Sequence, residues 1–224
     1  MSISAVILAA GRGDRMQAGG NKMLLPLEGH PLICWAVRAF ARIDEIDDLI
    51  IVVQAHEAME IRRLLHPIAP NARFIEGGVT RRDSALAGVR ATRNELALIH
   101  DGARPFPSAA LIHRVIAKAK VTEAAIPVLQ ITDLLHTLDS SGSTVTQLPP
   151  SIPLLARAQT PQGFYRALIL QCLENAPAEI RDDATAVLWT GRAVSTVPGE
   201  SVNVKITKPD DLLLAEAIAA HLEA

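Results

Sequence analysis

Arg15 and Lys22 lie in a loop, Gly11-Arg-Gly-Asp-Arg-Met16 continuing to Asn21-Lys22, that follows at once on the apolar run Ser4–Ala10. Small residues let backbone N–H groups approach phosphate oxygens, and two cations supply the charge, so this loop suits a polyanion. Two familiar phosphate loops do not match it. The dinucleotide fingerprint needs a third glycine where Met16 stands, and the P-loop needs Gly-Lys-Ser/Thr where Lys22 is flanked by Asn21 and Met23.

Three further segments carry groups for the same chemistry. In His100-Asp-Gly-Ala-Arg-Pro105, a carboxylate at Asp101 can hold Mg²⁺, which binds through few protein oxygens plus substrate phosphates. Arg104 can fork onto a second phosphate. In Glu76-Gly-Gly-Val-Thr-Arg-Arg-Asp-Ser84, the glycines let backbone approach a planar base, and Ser84 serves either as a helix cap or as a nucleotide contact. In Asn203-Val-Lys205, the lysine taken alone reads as an ordinary cation at a strand end. His100 stands beside Asp101 and could orient it, whereas His30, His56, His66, His113 and His221 lack metal-ligand spacing. No Gly-x-Ser-x-Gly elbow and no cysteine–histidine pair offers a nucleophile.

The elements that must position these groups alternate. Strand patterns at 3–8, 49–53, 73–76, 96–100 and 124–128 are separated by helical patterns at 31–42, 58–65, 82–93 and 108–120. That order predicts stacked βαβ units in a mostly parallel sheet covered on both faces. Ligands on such sheets sit beyond the carboxyl ends of the strands, so Gly11–Lys22, Gly77-Gly78 and Asp101–Arg104 are expected to converge. Alternation stops near residue 130. Residues 131–153 hold β-branched residues, a Ser140-Ser-Gly-Ser turn and a proline cluster, which predicts a hairpin arm. Such a hairpin is marginal alone and is expected to pack on a partner subunit. Helices are expected over 164–173, 182–189 and 209–222, with a strand over 193–197.

At 224 residues, with 49% hydrophobic and 21% charged residues, the chain has the makings of one well-cored domain. A formal net charge of −2 gives no bulk attraction to nucleic acid, so any anion site must be local. Cys34 and Cys172 belong to no metal or redox motif and read as buried thiols. No apolar run approaches the ~20 residues of a membrane span, and the N-terminus has no signal-peptide pattern, so a cytoplasmic location is expected.

The motifs Ala9-Ala-Gly-x-Gly-x-Arg15-Met, Asn21-Lys22, Gly77-Gly78, Arg81 to Ser84, His100-Asp-Gly-Ala-Arg-Pro105, Ala158-Gln-Thr-Pro-Gln162 and Asn203-Val-Lys-Ile-Thr-x-Pro-x-Asp-Leu212 cover nearly the whole chain. In this order they resemble the 2-C-methyl-D-erythritol 4-phosphate cytidylyltransferase family of the non-mevalonate isoprenoid pathway. The first motif is shared by many nucleotidyltransferases; the last three are more specific.

The resemblance implies a single Rossmann-like α/β domain over 1–224 whose β-arm clasps its twin in a homodimer. It implies Mg²⁺-assisted CMP transfer from CTP to the phosphate of methylerythritol phosphate. Ala9, Ala10, Gly11, Gly78 and Ser84 would contact CTP, and Arg15, Lys22 and Lys205 would be the catalytic cations around the triphosphate. Asp101 would serve both metal and acceptor, with Arg104, Thr132 and Thr160 also on the acceptor. Three positions depart from the pattern. Ile152 stands at the family's arm arginine, Val79 replaces an acidic residue, and Leu134 takes the arm threonine's place unless Thr132 is its equivalent. Two alternatives stay open: a cytidylyltransferase for another polyol phosphate such as ribitol 5-phosphate, and a catalytically weak nucleotide-binding protein.

Overall fold

A computed structural model describes residues 2–11, 21–145 and 155–223. Arg15 and Ile152 lie outside the described residues. The centre of the fold is β1 (Ile3–Leu8), flanked in parallel by β4 (Ile46–Val53) and β6 (Leu96–Asp101). β5 (Arg73–Glu76) extends the sheet beyond β4, and a two-residue ladder, β2 (Pro26–Leu27) with β3 (His30–Pro31), stands apart. On the other side come β9 (Gln162–Tyr165), β7 (Ala124–Gln130) and β10 (Ser195–Pro198), giving the order β10-β7-β9-β6-β1-β4-β5. β8 (Ala156–Ala158) pairs with the end of β7.

Side-chain alternation along the buried strands splits the core in two. Ile3, Ala5 and Ile7 face α1 (Leu32–Ala41), α2 (Ala58–Leu65) and α4 (Ala109–Thr122). Val6 and Leu8 face α3 (Arg81–Ala91), α5 (Arg166–Asn175) and α6 (Asp183–Trp189). A sheet covered on both sides buries both faces of β1, so five of its six residues are apolar and the sixth, Ser4, is satisfied by its bond to Asp48. α7 (Pro209–Glu223) closes a smaller cluster with Leu27, Trp35, Phe106 and Ile206.

Two expectations change. The strand expected at 49–53 begins at Ile46, because Asp48 is buried by bonds from Ser4 and Arg73 rather than ending the strand. The helix expected at 164–173 begins only at Arg166. The preceding residues form β9, antiparallel between β6 and β7. Gly163 permits this close fit: a Cβ there would come within 2.9 Å of Val115 and 3.1 Å of Leu98. The helical pattern of apolar residues therefore masked a strand that separates β6 from β7.

The excursion leaves from Gln130 and returns at Ala156. Ile131 N–H donates to Leu155 O, and Leu138 and Val145 form an antiparallel bridge around a turn with Gly142 at φ +72. The last part of the segment expected as an arm, residues 146–153, lies outside the described residues.

Candidate active site

The carboxyl ends of β1, β4, β5 and β6 open into a cavity of about 550 Å³. Its wall runs from Ala10 and Gly11 through Lys22 and Gln54 to Glu76–Arg81, Ser84, Asp101 and Lys205. The sheet hydrogen bonding continues past the strands to shape the floor, with Ala9 N–H on Val52 O (2.8 Å) and Gly77 N–H on Val53 O (2.8 Å). Ala9 is fully buried beneath that floor. Gly77 has to be glycine, since a Cβ there would collide with the Ala10 methyl.

Each cavity group has a local cause. Asn21 accepts from Met23 N–H (3.0 Å) and donates to Glu57 (2.6 Å), fixing the turn on which Lys22 stands. Lys22 Nζ donates to Ile206 O (3.0 Å), tying the first loop to the segment that bears Lys205. Thr80 and Asp83 form a reciprocal capping box, so α3 starts at Arg81 with its N-terminus at the cavity, where its dipole favours anions. Ser84 Oγ accepts from Gly78 N–H (3.2 Å). Ser84 is therefore four residues past the cap, where its hydroxyl steadies the double-glycine loop.

Asp101 is the electrostatic centre. Lys205 Nζ donates to its Oδ2 (2.6 Å), and Arg81 donates to its Oδ1 through Nε (3.3 Å) and Nη2 (3.2 Å). Burial would raise this carboxyl, but Arg81 and Lys205 outweigh it and hold Asp101 far below the usual carboxylate range. Arg81 is in turn gripped by Asp183, with Nη1 on Oδ1 (3.0 Å) and Nη2 on Oδ2 (2.8 Å). Burial opposes the Arg81 charge, yet Asp183 and Asp101 together hold the guanidinium above its ordinary value.

Behind Asp101 lies a closed relay. His100 is fully buried, and burial pushes its pKa down to about 4, so the ring is neutral. Its Nε2 lies 2.9 Å from Arg104 O, which can only accept, so Nε2 carries the proton. Nδ1 then accepts from the Thr160 hydroxyl (3.0 Å), whose oxygen accepts from Asp101 N–H (3.1 Å). Thr160 is only 3% exposed and faces away from the cavity. Arg104 donates to Asn203 O (2.8 Å) and Ala158 O (3.2 Å), beside the cavity rather than in its wall. Thr132 is exposed on the excursion.

The expected residues Ala10, Gly11, Lys22, Gly78, Ser84, Asp101 and Lys205 thus come together in one wall. Sequence reasoning assigned no role to Arg81 or Asp183. The doubled acid Asp182-Asp183 was the available signal: Asp182 caps α6 by accepting from Thr185 N–H (2.9 Å), which leaves Asp183 without a capping task. The two glutamines around Thr160 are braces. Gln159 bonds Glu200 and Asn203, and Gln162 Oε1 accepts from Ala184 N–H (3.0 Å) to seat α6.

A larger cavity, about 690 Å³, lies beside Arg93, Glu123 and Arg166, away from every motif. Two of its arginines are engaged: Arg166 donates to Thr92 and Arg90 carbonyls, and Arg192 pairs with Glu123. The chemistry belongs to the smaller cavity.

A parallel-sheet floor, a double-glycine edge and two lysines lining one cavity, Lys205 of them paired with the Asp101 carboxylate, define a nucleotidyltransferase. The chain belongs to the 2-C-methyl-D-erythritol 4-phosphate cytidylyltransferase family, which it matches over residues 3–221. The curated enzyme of that name from Halalkalibacterium halodurans is 38% identical over 100% of this chain and 99% of its own. Among solved structures, 4-diphosphocytidyl-2C-methyl-D-erythritol synthase from Anaerococcus prevotii superposes with a TM-score of 0.84 at 29% identity, covering 100% of this chain and 96% of that one. The cytidylyltransferase from Thermus thermophilus gives 0.77 at 32% identity, with 98% and 100% covered.

Proposed function

We infer that this chain transfers the cytidylyl group of CTP to the phosphate of 2-C-methyl-D-erythritol 4-phosphate, releasing pyrophosphate for isoprenoid precursor synthesis. The observation that carries this reading is the convergence of Lys22, Lys205 and Asp101 in a cavity edged by Gly77 and Gly78. An acceptor phosphate oxygen attacks the α-phosphorus in line; that P–O bond forms as the bond to the pyrophosphate oxygen breaks. A phosphate monoester is already ionised, so no general base is needed and the protein's work is positioning and charge neutralisation. Ala10, Gly11, Gly78 and Ser84 line the nucleotide side, with Ala9 supporting the floor beneath. Lys22 and Lys205, with Arg15 from the first loop, meet the negative charge that builds on the phosphates.

Magnesium fits the donors present. Asp101, an ionised carboxylate at the floor of an anion cavity whose wall also carries Glu76, suits Mg²⁺ held by few protein oxygens, water and phosphate. Among the described residues no cluster of three His, Cys, Asp or Glu could hold a metal without the substrate. Bound there, the cation would neutralise phosphate charge. Asp101, Arg104 and Thr132 form the acceptor side, and Thr160 acts from behind through the Asp101 backbone.

The exposed Leu134 (74%), Leu138 and Val145 favour a homodimer in which residues 131–153 lie against a second copy. No described helix is long and apolar enough to cross a membrane. Two buried free thiols, Cys34 and Cys172, agree with a cytoplasmic location.

Pyrophosphate release from each NTP, measured with methylerythritol phosphate and with ribitol phosphate, tests this reading. Turnover is expected only with CTP, a divalent metal and methylerythritol phosphate. Preference for ribitol phosphate, or turnover in excess chelator, would overturn it.

A further inference from the structure

Asp183 is the most deeply buried carboxylate near the cavity, at 0% exposure, yet it touches the cavity only through Arg81. A buried carboxylate is costly to keep unless its partner holds it with good geometry, and here both oxygens take guanidinium bonds. The fork leaves the Arg81 Nε and one edge of Nη2 for Asp101. Arg81 is therefore clamped between two carboxylates, one structural and one in the site. Lys205 is different. Its ammonium has one carboxylate contact, at 2.6 Å, and it sits at the cavity wall at the end of a single flexible side chain.

We propose that Asp183 is a positioning residue that locks Arg81 onto Asp101, so that Lys205 can turn from Asp101 to the phosphates when nucleotide binds. The inference rests on the reading of the cavity as the CTP site. Without the lock, Asp101 would lose its fixed cation and retain Lys205 as its hydrogen-bonded counter-charge, with the Arg104 charge acting on it without a bond. Lys205 would then stay on the carboxylate while the transition state forms.

The supports of Asp183 fit that task. α6 is held at its first turn by Gln162, which reaches Ala184 N–H and Asp182, and Asp182 caps the helix. Gln162 follows Thr160 by two residues, and Thr160 fixes the Asp101 backbone. One short segment thus sets both ends of the Arg81 clamp. Neither a helix cap nor a core contact requires Asp183 itself to be ionic, because Asp182 already caps the helix.

The test compares Asp183→Asn, Arg81→Lys, Arg81→Ala and the Arg81→Ala/Asp183→Asn pair, each assayed as full-length enzyme for kcat, KM and CTP affinity. Arg81→Lys keeps the charge but an ammonium cannot fork across two carboxylates. Asp183→Asn and Arg81→Lys are each expected to lower kcat about 10–100-fold, the scale of a misplaced catalytic group, while CTP affinity stays within about twofold. The pair should be no slower than Arg81→Ala alone, since Asp183 acts through Arg81. Near-normal kcat in either single variant would overturn the proposal, as would losses that multiply in the pair or a fall in CTP affinity matching the fall in kcat. If Asp183→Asn does not fold, Arg81→Lys decides alone, because its side chain is partly exposed and its charge is kept. Wild-type turnover is the reference, so failure of the functional reading shows in the wild type and failure of this inference only in the variants.

Discussion

The cavity floor and the 131–145 excursion are built on opposite terms. Around Asp101, the His100 ring, the Thr160 hydroxyl and the Asp101 N–H form one closed relay, and both carboxylate oxygens are paired. On the excursion, Leu134, Leu138 and Val145 face solvent, and its described core is a single bridge. One region is internally paired among the described residues; the other leaves apolar side chains uncovered. The boundary between them runs beside Arg104. There Arg104 Nε and Asn203 Oδ1 are buried without a hydrogen-bond partner among the described residues. On the proposed function, the contrast assigns the nucleotide to the side that is internally paired among the described residues and the acceptor to the side next to the uncovered arm.

The sharpest way to break this view is at the paired side. Lys22→Ala or Lys205→Ala should lower turnover on the order of 10²–10³-fold, roughly 3–4 kcal/mol, because on the proposed function each removes a positive charge that meets the transition state. Thermal melting should barely move, since partly exposed charges add little to folding. A folded variant with near-normal turnover would remove that lysine from the site.

The relay offers a pH test. His100 has its pKa lowered by burial to about 4, below the ordinary 6.5. The unfolded chain therefore takes up the proton first, and stability falls as pH drops below about 6.5 until the folded ring protonates near 4. Linkage puts the loss near 2 kcal/mol between pH 7.5 and 5. His100→Asn, which can keep both a donor and an acceptor, should flatten that part of the profile in denaturant titrations. An equal slope in both proteins would show that the relay does not hold a neutral histidine.

A smaller effect belongs to the uncovered side. Ile152→Arg would supply the charge that the family resemblance expects on the arm, and one charge-assisted hydrogen bond should improve acceptor KM by about tenfold. CTP affinity should stay put. An unchanged acceptor KM would mean that another cation already fills that role.

The sequence made the paired region legible because it is punctuated by residues with one physical use. Gly77 is required by the Ala10 contact, Asp101 ends a wholly buried strand, and Lys205 became visible only through the motif around it. Spacing could not reveal that β9 enters antiparallel between β6 and β7. Phe164 and Leu168 carry a helical period, while the strand is dictated by Gly163 fitting beneath α4. Arg81 and Asp183 stayed hidden for a related reason. They are 102 residues apart, and only the folded chain brings the two helix starts together. A Ser or Thr within a motif suggests contact with substrate, and Thr160 shows the alternative, a hydroxyl used up in holding the Asp101 backbone.

The most direct measurement is a comparison of the intact chain with one lacking residues 138–146, each examined for CTP affinity, oligomeric state and acceptor KM. If the two halves of the site are built as described, the shortened chain binds CTP within about twofold of the intact one while dissociating at micromolar concentration and losing acceptor affinity. A shortened chain that stays dimeric and handles acceptor normally, or one that loses CTP affinity in step with acceptor affinity, would contradict the proposed division between an internally paired nucleotide half and an acceptor half next to the uncovered arm.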